Sequence, residues 1–264
     1  MANADYFYHV GFGHIDLGPE PPLIAVLSGD PERARLIAQT QLREVRMLSE
    51  NRGLNSYLGL LPDGRPLLSA TSGMGAPSLS IVVNELVQAG IRVIIRIGTT
   101  GSIQDDVKAG SIVITNAALC RQGAADDIAP PEYPAAADPF LTVELVNAAR
   151  DLGIEHHVGI TASVDSFYEG QERSETSANP HLMRRLQGAT EEYRRLNILN
   201  YEMECGTLFK MGNVYGFHAG CVCGVIAQRT SAETIVQERK TAAVDAAIRV
   251  AILAASRCKI PGSR

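Results

Sequence analysis

No apolar run in this 264-residue chain is long enough to span a bilayer. The opening residues, Met1-Ala2-Asn3-Ala4-Asp5, lack the basic segment and apolar stretch of a secretory signal, so a cytoplasmic location is expected. Cysteine is sparse. The five residues Cys120, Cys205, Cys221, Cys223 and Cys258 are odd in number and irregularly spaced, which fits reduced thiols and not a disulfide framework. Net positive charge is also missing. The balance of −5 weighs against general nucleic-acid binding, although a few local arginines can still hold a small anion.

Nucleotide signatures are missing too. Thr71-Ser72-Gly73-Met74-Gly75-Ala76-Pro77-Ser78 is glycine-rich, but Ser78 stands where G-x-G-x-x-G needs its third glycine. The Lys-Ser/Thr of a P-loop does not follow, so the segment gives little support for a nicotinamide or ATP site. No metal site is expected. Cys221 and Cys223 alternate in a predicted strand without a second ligand pair, and His156-His157 point to opposite strand faces.

What is present is the composition of a globular chain, 45% hydrophobic and 20% charged with mean hydropathy near zero. Strand and helix signals alternate. Strands are predicted over 23–27, 67–70, 91–97, 111–115, 158–162 and 221–226. Helices are predicted over about 31–39, 77–89, 142–152, 202–211 and 233–256, with a long loop over 121–139. Asp30 and Pro31 make a helix start, as N-cap and first residue. The alternation predicts one α/β domain, 1–264, with a mixed sheet flanked by helices. Glycine recurs after the strands, at Gly29, Gly73 and Gly98, with polar residues close by. Such ends converge on a ligand site in open α/β sheets.

The segment Arg96-Ile97-Gly98-Thr99-Thr100-Gly101 is the most informative. Val93, Ile94, Ile95 and Ile97 read as a strand buried on both faces, and Arg96 interrupts it. A buried arginine demands a partner, and a guanidinium beside hydroxyls and glycine amides suits an oxyanion. Gly29-Asp30-Pro31-Glu32-Arg33 is a weaker phosphate cradle, equally readable as a plain helix start. Gln171 and Arg173, beside Phe167 and Tyr168, supply the donors and acceptor that read a flat heterocycle, or an ordinary exposed loop. Tyr201-Glu202-Met203-Glu204 opens a predicted helix. Its carboxylates suit sugar hydroxyls or, more plainly, a helix N-terminus.

Together these motifs resemble the nucleoside phosphorylase-I family. The stretch from Thr71 to Ile81, followed by Glu85-Leu86, is similar to that family's signature, and the likeness runs from about His9 to the last helix. Phe167 to Arg173 and Ile226-Ala227-Gln228-Arg229-Thr230 resemble its uridine-cleaving branch. The resemblance implies a helix-flanked mixed sheet, partly barrel-like. It implies phosphorolysis of uridine, with deoxyuridine or thymidine as further substrates, in pyrimidine salvage. The alternatives are a purine nucleoside phosphorylase or a nucleosidase of the same fold.

By position, the resemblance implies phosphate contacts from Gly29, Arg33, Arg52, Arg96 and Thr99. Ribose contacts would come from His9, Thr99, Glu202, Met203 and Glu204. Base contacts would come from Phe167, Gln171, Arg173, Ile226 and Arg229. Arg96, Arg173, Gln171 and Glu204 would carry the catalysis. Arg52 and His9 would reach across to a neighbouring subunit of a homohexamer, a trimer of dimers. No cofactor is implied beyond inorganic phosphate as co-substrate. Members that bind potassium carry a glutamate after the arginine matched by Arg52. Gly53 stands there, so the potassium site is not carried over, although Ser78 is retained. The segment after Thr230, a flap over the base in the family, looks shortened.

Overall fold

The computed structural model describes residues 6–229, 233–234 and 237–259. Its strands are β1 (Tyr6–Phe7), β2 (Phe12–Gly13), β3 (Ile24–Ser28), β4 (Arg43–Ser49), β5 (Ser56–Leu60), β6 (Pro66–Thr71), β7 (Val93–Ser102), β8 (Ile112–Arg121), β9 (His156–Val164), β10 (Asn200–Glu202), β11 (His218–Arg229) and β12 (Glu233–Thr234). Its α-helices are α1 (His14–Leu17), α2 (Pro31–Gln41), α3 (Ala76–Gln88), α4 (Gly123–Asp126), α5 (Pro139–Asp151), α6 (Ala189–Arg195), α7 (Cys205–Tyr215) and α8 (Gln237–Arg257).

The architecture is the expected α/β arrangement of a mixed sheet and flanking helices. Ten strands run in the order β12-β11-β8-β9-β10-β7-β3-β6-β5-β4, and β11 also pairs with β7. That extra pairing closes β7, β10, β9, β8 and β11 into a barrel-like ring. Strand β7 belongs to both the ring and the open sheet. It pairs in parallel with β3 at one end and with β11 along its length.

Strands buried on both faces read as unbroken apolar runs, because each face meets helices. Ile94 packs with Leu79 and Val83 of α3 and with Leu208 of α7. Val93, Ile95 and Ile97 pack on the opposite face with Leu145 of α5 and Ala251 of α8. Asp30 caps α2 by accepting from Glu32 N at 2.9 Å, with Pro31 in the first turn.

Several boundaries differ from the sequence reading, each for a tertiary reason. Strand β7 does not stop at Ile97. Gly98 to Gly101 pair with β11, and Gly101 and Ser102 also pair with Tyr201 and Asn200, so Gly-Thr-Thr-Gly continues the ladder. Strand β8 runs to Arg121 because β9 pairs with it throughout. The expected loop over 121–139 is therefore shorter, contains α4, and gives Pro139 to α5. Tyr201 and Glu202 end strand β10, and the helix begins at Cys205. Glu233 and Thr234 pair back on Arg229 and Gln228 as a strand, and α8 starts at Gln237. Thr230, the following residues 231–232 and the opening Met1–Asp5 lie outside the described residues.

Candidate active site

A cavity of about 450 Å³ opens where the ends of β3, β7, β9, β10 and β11 meet, within the range of small-ligand sites. It is lined by Gly29, Arg33, Arg96, Thr99, Phe167, Gln171, Arg173, Glu202, Met203, Glu204 and Ile226 among others. Arg229 backs its wall, donating to Gln171 O at 2.6 Å. His9 and Arg52 are elsewhere. His9 Nδ1 lies 2.6 Å from Glu85 Oε1 in a separate hollow beside α3, and Arg52 donates to Tyr8 Oη at 2.8 Å.

Arg96 is the electrostatic centre and is 4% exposed. Its Nε donates to Glu202 Oε2 at 3.0 Å and its Nη2 pairs with Glu204 Oε2. Its Nη1 is buried with no hydrogen-bond partner among the described residues. Burial opposes the charge, but Glu204 and Glu202 outweigh it and hold the guanidinium well above its ordinary pKa. Gly98 makes this geometry possible. A Cβ there would sit 2.7 Å from Cys223 Sγ and 3.0 Å from Arg96 Nη2. Arg33 Nη1 reaches Ser28 Oγ and Ile97 O, each at 3.3 Å. Burial lowers its pKa, with Asp30 opposing and Arg96 adding to the effect.

The two carboxylates divide their work. Glu202 Oε1 accepts from Ser163 Oγ at 2.5 Å. Its Oε2 takes Arg96 Nε and the backbone N–H groups of Glu204 and Cys205, the latter two at 2.8 Å. Glu202 is therefore committed to protein groups: it caps α7 and aligns Arg96. The expectation that it holds a sugar finds four donors already on its two oxygens, whereas each oxygen of Glu204 takes one. Glu204 accepts from Gly75 N at 2.7 Å and pairs with Arg96. Burial pushes its carboxyl pKa up, Arg96 pulls it down, and Glu202 adds to the rise.

Other donors at the start of α7 are satisfied from outside the helix. Gly206 N donates to Ser163 Oγ at 3.0 Å, and Thr207 N to Gln122 Oε1 at 2.9 Å. Gln122 Nε2 donates to Met203 O at 2.6 Å, pinning the Met203-Glu204 shelf. Sequence reasoning missed Gln122, a lone polar residue in an apparent loop. It also missed Tyr201 as a cavity wall.

At the other side, Arg173 Cζ lies 4.3 Å from the centre of the Phe167 ring, and Arg173 Nε donates to Gln171 Oε1 at 3.3 Å. Tyr168, paired edge-on with Phe167, is not part of the lining. Gly101 admits both arginines: a Cβ there would sit 3.1 Å from Arg229 Cδ and 3.6 Å from Arg173 Nη2. Gly98 and Gly101 are three steps of strand apart, roughly 10 Å at ~3.3 Å each. Thr99 and Thr100 stand between them and line the cavity.

Residues 23–257 match the profile of the phosphorylase superfamily. The chain belongs to that superfamily. It is 40% identical over 257 residues to the uridine phosphorylase of Salmonella typhimurium, covering 97% of this chain and 99% of the relative. To the Haemophilus influenzae uridine phosphorylase it is 42% identical over 232 residues, 88% of this chain and 91% of the relative. To that of Escherichia coli it is 39% identical over 257 residues, 97% of this chain and 99% of the relative. No helix among the described residues of this phosphorylase-superfamily chain is long and apolar enough to cross a membrane.

One trio of ligand-type side chains stands together among the described residues: Glu202, Cys205 and Cys221, within 4.8 Å. Cys223 Sγ is 3.7 Å from Cys221 Sγ. Arg96 holds a positive charge against Glu202, which opposes a cation there. Burial keeps Cys205 protonated, and a hydrogen bond from a neighbouring thiol together with burial does the same for Cys221 and Cys223.

Proposed function

We propose that this chain is a uridine phosphorylase, a pentosyltransferase converting uridine and phosphate reversibly to uracil and ribose 1-phosphate. One observation carries the reading. A buried guanidinium with an unpartnered Nη1 and a Gln/Arg pair line the same cavity. Phosphate binds Arg96 and Arg33, with Gly29 and Thr99 closing around it. Ribose lies over Met203, with Glu204 accepting from its hydroxyls. Gln171 and Arg173 meet the base edge, and Phe167, Ile226 and Arg229 complete the pocket.

In the reaction the C1′–N1 bond breaks with its electron pair going to uracil, and a phosphate oxygen bonds to C1′. Arg173 and Gln171 stabilise charge on the departing base. Phosphate, held by arginines, offsets positive charge on the sugar and then attacks. Positioning and preorganised charge supply the catalysis, without a covalent enzyme intermediate. Glu202 serves through Arg96 and α7. Phosphate is the sole co-substrate, the enzyme works in the cytoplasm, and the whole chain acts as one domain. His9 and Arg52 complete the site of a neighbouring copy in a homohexamer, a trimer of dimers.

The test is uracil release from uridine, followed by ultraviolet absorbance with and without inorganic phosphate. Phosphate-dependent release is expected. Equal release without phosphate would assign a nucleosidase, and cleavage of inosine alone would assign a purine enzyme.

A further inference from the structure

Glu172 separates Gln171 from Arg173, yet its side chain faces away from the cavity lining. Its φ of +50° lies in the left-handed region, which a residue with a side chain disfavours. A strained residue in a loop persists when its surroundings hold it. What holds this one is the carboxylate. Oε1 accepts from Gly188 N at 2.6 Å and Oε2 from Thr190 N at 2.5 Å.

Those N–H groups belong to the start of α6. Gly188 is its N-cap residue and has no side chain to satisfy them. Glu172 provides the cap from a distant loop, and a carboxylate at a helix N-terminus is favourable in its own right. The contact continues. Thr190 Oγ1 is 3.0 Å from Tyr201 Oη, and Tyr201 lines the cavity. Arg229 lies 5.4 Å over the Tyr201 ring and donates to Gln171 O. The links therefore close on themselves: Gln171, Glu172, Thr190, Tyr201, Arg229 and back to Gln171.

We infer that Glu172 is a positioning residue for base recognition, clamping α6 so that Gln171 and Arg173 present their donors to the cavity. It does not touch the nucleoside. The reversal of backbone direction at Glu172 sends its side chain to α6 and its two neighbours to the pocket. This inference rests on the uridine phosphorolysis reading, and its test separates the two.

Glu172→Gly suits the left-handed backbone and removes the clamp. It should raise the uridine KM and lower kcat/KM for uridine by about 10- to 100-fold, as a small misplacement of reacting groups does. The phosphate KM should stay within about twofold. Glu172→Gln, keeping one acceptor, should fall between the glycine variant and the wild type. The double variant Glu172→Gly/Gly188→Asn gives α6 its own cap, asparagine being tolerant of positive φ. It should regain thermal stability without regaining the uridine KM. Recovery of that KM in the double variant would overturn the inference, because capping alone would then explain Glu172. So would an unchanged KM in Glu172→Gly with an active wild type. A wild type that cannot cleave uridine would overturn both readings.

Discussion

Arg96 shows how one residue can be both a structural cost and a functional asset. Its charge is offset by Glu202 and Glu204, and its Nη1 remains for a ligand. Arg96→Ala leaves two buried carboxylates facing each other. It should destabilise the fold by about 3–5 kcal/mol and cut turnover by about 100- to 1,000-fold, read by denaturant melts and phosphate-dependent kinetics. Gly98→Ala is the subtler probe. Its methyl group would press on Cys223 Sγ and Arg96 Nη2, so the phosphate KM should rise several-fold while the uridine KM holds. Glu204 sets the acid limb. Its pKa lies above the ordinary carboxylate value, so its charge is present above that raised pKa and lost as pH falls through it. Activity should therefore decline on acidification earlier than a free carboxylate would dictate, and Glu204→Gln should lose that limb. Arg96 was legible in the sequence because a guanidinium inside an apolar strand must be paired with carboxylates, hold an anion, or do both. The division between Glu202 and Glu204 was not, since two glutamates two residues apart carry no mark of which faces the cavity.

At the scale of elements, the start of α7 is the part most dependent on others. Its N–H groups are met by Glu202, Ser163 and Gln122, drawn from β10, β9 and the turn before α4. Gln122→Ala should remove a cap and free Met203 O, costing about 1–3 kcal/mol. It should also raise the uridine KM more than the phosphate KM, because the Met203-Glu204 shelf moves. Equal changes in both would count against a shelf held by Gln122. Most helices were placed to within a few residues by their apolar spacing and by Asp30-Pro31. The errors fell where partners decide. The predicted strand ended at Ile97, and only pairing with β10 and β11 carries it on through Gly101. Tyr201-Glu202 looked like a helix start, and the same pairing makes it a strand end. Local sequence carries propensity but not the identity of a neighbouring strand.

For the molecule as a whole, His9 and Arg52 stand apart from the cavity their own chain forms. If they serve a neighbour, an Arg96→Ala chain and an Arg52→Ala chain should each be poor alone. After mixing, dissociation and reassembly, some sites would hold both intact arginines, so activity should recover. No recovery, or an active monomer in sedimentation, would refute shared sites. The α/β class was readable from alternation, whereas the barrel-like ring was legible only through the family resemblance: its closure rests on contacts between β7 and β11, far apart in sequence. That closure has a further consequence. Because β7 is paired along its length with β11 and held at its two ends by β3 and β10, the interval between Arg96 and Gly101 is a fixed gauge. Substitutions in the loops can change which heterocycle is admitted, but not how long a molecule must be to touch both ends. Evolution or engineering toward a longer substrate would have to unzip a strand shared by two halves of the protein, and would more readily open the cavity sideways than lengthen it.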